Sequence, residues 1–252
     1  MTTQEAKFEY ILRLADSSLI IGHRLSEWCG HGPILEEDIA LINIALDFVG
    51  SGTSLYQYAA QVEGKGRTED DLAYMRDERE FRNLLLTEQP NGDYAMTITR
   101  QFIYDVYTFY LYEALKNSKD ETISAIAVKA HKEITYHLRH TTEWMYRLGD
   151  GTEESHMRMQ DAINELWMFV PDLFDMDEVD QLMIKEAIGV DLNAVKTQWD
   201  AHVKPVIEKA TLKLPTTTYH QKGSREGKHS EHLGFLLAEM QYLHRAYPEA
   251  KW

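Results

Sequence analysis

Residues 119–148 constrain the fold of this chain more than any other stretch. Positions 123, 127, 130, 134, 137, 141, 144 and 148 hold Ile, Ala, Ala, Ile, His, Thr, Trp and Leu. A 4-3-4-3 spacing of that kind draws one continuous core seam along a helix. Residues 93–117 repeat the rhythm with Ala95, Ile98, Phe102, Asp105, Phe109 and Tyr112. Residues 4–28 offer Ile11, Ala15, Ser18, Gly22 and Leu25, with Asp16 beside that stripe. Residues 35–62 are apolar nearly all round from Ile39 to Val49, broken only by Asn43 and Asp47. Such a helix is expected to be buried on most sides. Strand-like alternation is nearly absent.

Turn-forming clusters punctuate the rest: Gly30-His31-Gly32-Pro33, Gly64-Lys65-Gly66, Pro90-Asn91-Gly92-Asp93, Gly149-Asp150-Gly151 and Pro171-Asp172. Helices are predicted near 4–28, 35–62, 68–87, 93–117, 119–148, 153–171, 177–189, 192–211 and 230–246, with an irregular stretch from Leu214 to Lys228. We read one all-α domain over 1–252, with a core bundle over about 4–148 and extra helices over about 153–246.

Composition narrows the function classes. A net charge of −15 argues against nucleic acid as a partner, because such binding needs Lys and Arg to displace counterions. No run approaches the roughly 20 apolar residues of a membrane span, so no membrane partner is expected. The opening MTTQEAKFEYILRLADSS has no basic stretch followed by an uninterrupted apolar core, so no signal peptide is read. The single cysteine, Cys29, excludes an intramolecular disulfide and fits a reducing cytoplasm. It is expected to be buried and inert.

Three ionisable groups fall where core residues belong: Asp47, Asp105 and His137. Asp16, Asn43 and Glu133 lie on or near the same seams. Burying a charge without a partner is costly, so these groups should meet one another or a metal. Four-helix bundles of the ferritin-like class hold two irons at this place, using one Glu from each of two helices and Glu-x-x-His from each of the others. Here Ile134 stands three residues before His137, and Ile44 three before Asp47. Glu-x-x-His occurs only at Glu153–His156, on an opening helical turn, and at Glu226–His229, in a Gly-rich loop. The fold reading is a ferritin-like four-helix bundle with additional C-terminal helices. Its core is expected to carry a structural polar network, with no metal, cofactor or catalytic residue. Two further features carry little. Arg76-Asp77-Glu78-Arg79 reads as a solvated charge run. Lys222, Arg225 and Lys228 flank Gly223 and Gly227 and could hold phosphate, but no strand–loop–helix pattern supports a nucleotide fold.

Several segments carry a family resemblance. LRLADSSLIIGHRLSEWCGHGP, LEEDIALINIALDFVG, YMRDEREFRNLLLTEQPNGDYAMTITRQF, KEITYHLRH and SEHLGFLLAEMQYLHR occur in this order and span essentially the whole chain. They resemble the family of C-type subunits of phenylacetyl-CoA epoxidase (ring 1,2-epoxidase). The resemblance implies a ferritin-like scaffold that pairs with a related di-iron catalytic subunit. It also implies a small bridging subunit, and a reductase with FAD and an iron–sulfur cluster that draws on NADPH. Such a complex uses dioxygen to epoxidise the ring of phenylacetyl-CoA in aerobic phenylacetate degradation. In the catalytic relatives a Glu stands where this chain has Ile134, so His137 keeps a ligand position without its carboxylate. The resemblance further implies substrate (coenzyme A) contacts at Glu80, Phe81, Arg82 and Asn83 and at Gln181, Leu182 and Met183. An independent di-metal oxidase or ferroxidase, and an acyl-CoA-binding module, are the alternatives.

Overall fold

The computed structural model describes residues 1–248 and 250. Among the described residues no strand occurs. Helix α1 (Thr3–Ser26) starts at a capping box in which the Thr2 side chain and Glu5 satisfy each other's backbone N–H groups. Helix α2 (Leu35–Glu63) stops at Gly64, whose φ of 68° suits a residue without Cβ. The short α3 (Glu69–Tyr74) follows. Asp93 caps α4 (Tyr94–Leu115) and Asp120 caps α5 (Glu121–Gly149). Beyond lie α6 (Glu153–Leu166), α7 (Val170–Leu173), α8 (Glu178–Lys185), α9 (Leu192–Lys209) and α10 (Glu231–Ala246).

Helices α1 and α2 form one antiparallel pair, α4 and α5 the other, and α2 also meets α5. Glycines set the first pair. A Cβ on Gly22 would stand 2.8 Å from Val49 Cγ2, and one on Gly52 would stand 3.3 Å from the Leu19 nitrogen. The two backbones therefore approach more closely than larger residues would allow.

The central helix is α4, not α2. Every residue of α4 from Thr97 to Thr108 is buried, because α6 and α9 cover the side that α5 leaves open. Helix α2, expected to be buried on most sides, instead exposes Leu35 (72 %), Ile39 (51 %) and Leu46 (63 %). By length and hydropathy α2 could reach across a bilayer; in the fold its glycine-bearing face is packed on α1. The seam of α5 holds at Ile123, Ala127, Ala130, Ile134, His137 and Thr141, then drifts so that Met145 and Gly149 are buried while Trp144 and Leu148 are half-buried. A straight helix turns by 3.6 residues and slips about 20° per heptad.

The helix predicted over 68–87 ends at Tyr74. After a single turn at Glu78–Glu80, the chain runs through the interior with only isolated turn bonds at Thr87 and Gln89. Side chains elsewhere take over the missing partners. Asp16 accepts from the Arg82 N–H (2.7 Å), Ser17 Oγ from Leu84 (3.2 Å) and Asp172 from Leu85 (3.0 Å). A buried backbone needs such replacements wherever secondary structure is absent.

Candidate functional site

Helices α4 and α5 bury Asp105 and His137 in the bundle interior, and Asp47 reaches His137 from the rim of α2. His137, on the seam of α5, places Nε2 3.0 Å from Asp47 Oδ2. Its ring packs on Phe48 with centroids 5.0 Å apart. Asp105 has no exposed surface. Its Oδ1 accepts from Gln101 Nε2 (2.6 Å) and its Oδ2 from the Thr141 hydroxyl (2.9 Å). Burial pushes the Asp105 carboxyl up to about 7, and His137, Gln101 and Thr141 hold it back from rising further. Glu133 is also pushed up, by burial and then by the charge of Asp47, against Lys129 and His137.

Two of the six candidates of this network lie elsewhere. Asn43 is exposed. It shares a helical row with Asp47, but that row runs along the rim of the bundle, where the Asp47 side chain is itself 41 % exposed. Asp16 belongs to a separate cluster. Its carboxylate accepts from both terminal nitrogens of Arg76 and from the Tyr56 hydroxyl (2.5 Å). Arg76 is only 3 % exposed, so it departs from the solvated run expected at 76–79, whose other members Asp77, Glu78 and Arg79 are exposed. Helix periodicity had no means of pairing residues 60 positions apart.

The geometry does not fit a di-iron centre. Ile44 and Ile134 are 5 % and 2 % exposed and fill the core where further carboxylates would stand. The space between Asp47, Ser51, Tyr112, Glu133 and His137 is a cavity of 10 Å³, room for about one water. Two metal ions would lie about 3.5–4 Å apart. Two residues lining it, His137 and Ser51, have Nδ1 and Oγ buried without a protein partner, which suits a bound water and not a ligand cage. Among the described residues no group of three or more His, Cys, Asp or Glu is disposed to hold a metal ion.

The other sequence features resolve individually. His156 Nδ1 faces the Gly149 carbonyl at 2.7 Å, while His229 engages Glu88 rather than Glu226. Lys222 pairs with Asp175, Lys228 with Glu226, and Arg225 donates to the Asp175 carbonyl. The loop's cations are thus engaged with Glu226 and with Asp175 of the α7–α8 connection, which disfavours a phosphate cradle. Cys29 is exposed, contrary to the buried thiol expected.

A family model described as "Phenylacetic acid catabolic protein" matches residues 1–252. The chain belongs to that family. The C-type subunit of the 1,2-phenylacetyl-CoA epoxidase of Escherichia coli (strain K12) is 48 % identical over 243 residues, covering 96 % of this chain and 98 % of the relative. In this chain the seven positions implied to touch substrate are differently disposed. Phe81, Asn83 and Met183 are fully buried. Leu182 is half-buried, and Glu80 and Gln181 are exposed. Arg82 is held by Glu9 (2.7 Å). Glu9 in turn lines an open cleft of 680 Å³ between the start of α1 and the start of α8, together with Arg13, Asp177 and Arg225. Sequence reasoning did not single out this cleft, since its residues come from four distant segments with no shared motif.

Proposed function

We propose that this chain is the non-catalytic, structural subunit of a phenylacetyl-CoA 1,2-epoxidase acting in the cytoplasm. In this reading it supports a di-iron catalytic subunit, with a small bridging subunit and an FAD and iron–sulfur reductase completing the complex. Relatedness to the C-type subunit of such an epoxidase supports the assignment to the complex. The observation that carries the structural role is the core itself: the ligand positions survive as a hydrogen-bonded pair and a buried carboxyl of raised pKa, with room for one water.

The exposed row on α2 supports a partner of similar build. Leu35, Ile39 and Leu46 follow a 4-7 helical spacing and face away from the bundle, and Tyr136 on α5 is 74 % exposed. Apolar stripes of this kind mark surfaces that a second helix covers. The substrate contacts at Glu80, Phe81, Arg82, Asn83, Gln181, Leu182 and Met183 remain part of the proposal. The buried members would act by shaping the loop, and Glu80, Arg82 and Gln181 by touching the substrate.

Co-expression tests the scaffold role. The catalytic subunit should be recovered soluble and active with this chain and lose both properties without it. Equal activity of the catalytic subunit alone would overturn the proposal. Metal loading with dioxygen consumption by this chain in isolation would favour an independent oxidase, and tight phenylacetyl-CoA binding without a partner would favour a binding module.

A further inference from the structure

Helix α10 stands apart from the main core. Leu233, Leu236 and Leu237 join Ile20 and Phe81 in a small apolar cluster of their own. The opposite side of α10 leaves Phe235 and Tyr242 exposed. A cluster of this size gives the helix limited hold, and polar contacts at both ends add to it: Gln241 and Arg245 donate to the Ala73, Tyr74 and Arg76 carbonyls and to Asp77 near its end, and a second set lies at its start.

His229, two residues before α10, places Nδ1 2.8 Å from Glu88 Oε2 and Nε2 3.0 Å from the Phe81 carbonyl oxygen. Both facing atoms are acceptors. A neutral imidazole has one N–H and can satisfy only one of them, whereas the imidazolium donates to both. The imidazole and the Glu88 carboxylate each have 0 % side-chain exposure. Glu88 also accepts from the Ser230 N–H (2.6 Å) and from Asn83 Nδ2 (2.9 Å). One carboxylate thus joins the start of α10 to the 81–89 segment.

Other charges surround the pair. From α1 come Asp16, whose carboxylate is paired with Arg76, and Arg24, which donates to the Glu88 and His232 carbonyls. From the 81–89 segment comes Arg82, tied to Glu9 and to the Arg79 carbonyl. On the stretch of chain leading into His229, Lys228 pairs outward with Glu226. Each of these charges except Glu88 is engaged with a partner other than His229.

We propose that His229 and Glu88 form a proton-dependent latch that holds α10 on the 81–89 segment and loosens when His229 gives its second proton to solvent. After that loss one acceptor, Glu88 or the Phe81 carbonyl, is left buried and unpaired, which disfavours the closed arrangement. Burial lowers the basicity of His229, but the hydrogen bond and charge of Glu88, the Phe81 carbonyl and Asp16 outweigh it, so its pKa lies above the ordinary imidazole value. A raised folded-state pKa fixes the sign. The latch is at full strength below about pH 6.5, the value for a free imidazole, and weakens as pH rises from there through the folded-state pKa. The bearing of the latch on the 80–83 substrate contacts rests on the function proposed above, but the latch does not.

Hydrogen exchange on the full chain alone, from about pH 6 to about pH 9 and corrected for chemical exchange, tests it without partner or substrate. The opening of residues 229–237, the start of α10, should increase by up to about tenfold per pH unit within the window, while α4 and α5 stay protected throughout. His229→Gln should make the opening of α10 independent of pH. A pH-independent α10 in the unsubstituted chain, or a pH dependence that survives His229→Gln, would overturn the latch. Should His229→Gln fail to fold, histidine ring NMR of the unsubstituted chain decides. One ring titrating above the free value in step with α10 opening supports the latch, and no such ring overturns it. Failure here leaves the scaffold role standing, and failure of the scaffold role leaves the latch standing.

Discussion

Asp105 has no exposed surface and accepts two hydrogen bonds, yet its carboxyl rises to about 7. Desolvation therefore exceeds what Gln101, Thr141 and His137 return. An acid whose folded-state pKa is raised supports folding below its unfolded value, about 3.9, and costs stability progressively as pH climbs from there to about 7. Asp105→Asn should therefore stabilise the chain at pH 8 relative to the unsubstituted protein by about 1–3 kcal/mol, with the difference vanishing near pH 4. Gln101 can reverse its amide to pair its orphaned Oε1 with the new Nδ2. Urea midpoints at the two pH values check this. Asp16 behaves oppositely. It neutralises Arg76, which is almost wholly buried, so Asp16→Ala should cost about 3–5 kcal/mol by leaving that charge unpaired, read as a lower thermal midpoint at pH 7. The core polar residues Asp105 and His137 were legible because helical periodicity places them on seams. Asn43 was misplaced because periodicity fixes a row without saying which way the row faces. The bond between Asp16 and Arg76 was not legible, since nothing local relates two residues from different elements.

Among the elements, the α1–α2 pair has the least tolerance. A side chain at Gly22 must push Val49 and the Ala45 carbonyl aside, so Gly22→Leu should destabilise by about 1–3 kcal/mol. Gly50, in the same helix pair with nothing within 4 Å of its Cβ position, makes the contrasting case. Gly50→Ala should stabilise by about 0.5–1 kcal/mol through helix propensity alone. Denaturant unfolding of the two variants side by side separates close approach from a general dislike of substitution. Periodicity, caps and glycine stops made the long helices α1, α2, α4 and α5 readable to within a few residues. The 81–89 segment was not readable, because its sequence, FRNLLLTEQ, suits a helix while side chains of α1 and α7 accept from its backbone at Arg82, Leu84 and Leu85. Tertiary hydrogen bonds overrode local propensity there. The same limit explains why α4 and not α2 is central: composition made α2 the more apolar helix, but the covering elements α6 and α9 lie on α4.

At the scale of the whole molecule, an apolar stripe on α2 and a core without room for two metals belong to one account. In the function proposed above, the molecule keeps the bundle and its outward face holds a partner that carries the chemistry. Leu46→Asp should leave the isolated chain folded, since that side chain is 63 % exposed, and should weaken association with the catalytic subunit at least tenfold, the effect of about 1.4 kcal/mol. Size-exclusion chromatography of the co-expressed pair reads that outcome. The most direct test of the central claim is turnover by a complex assembled from the catalytic subunit and the His137→Gln, Asp105→Asn double variant of this chain. Phenylacetyl-CoA epoxidation is measured per assembled complex. The account predicts a rate within about twofold of the unsubstituted complex, because neither residue touches the reacting atoms. A fall of about a hundredfold or more with assembly intact would place chemistry in this subunit and contradict the account.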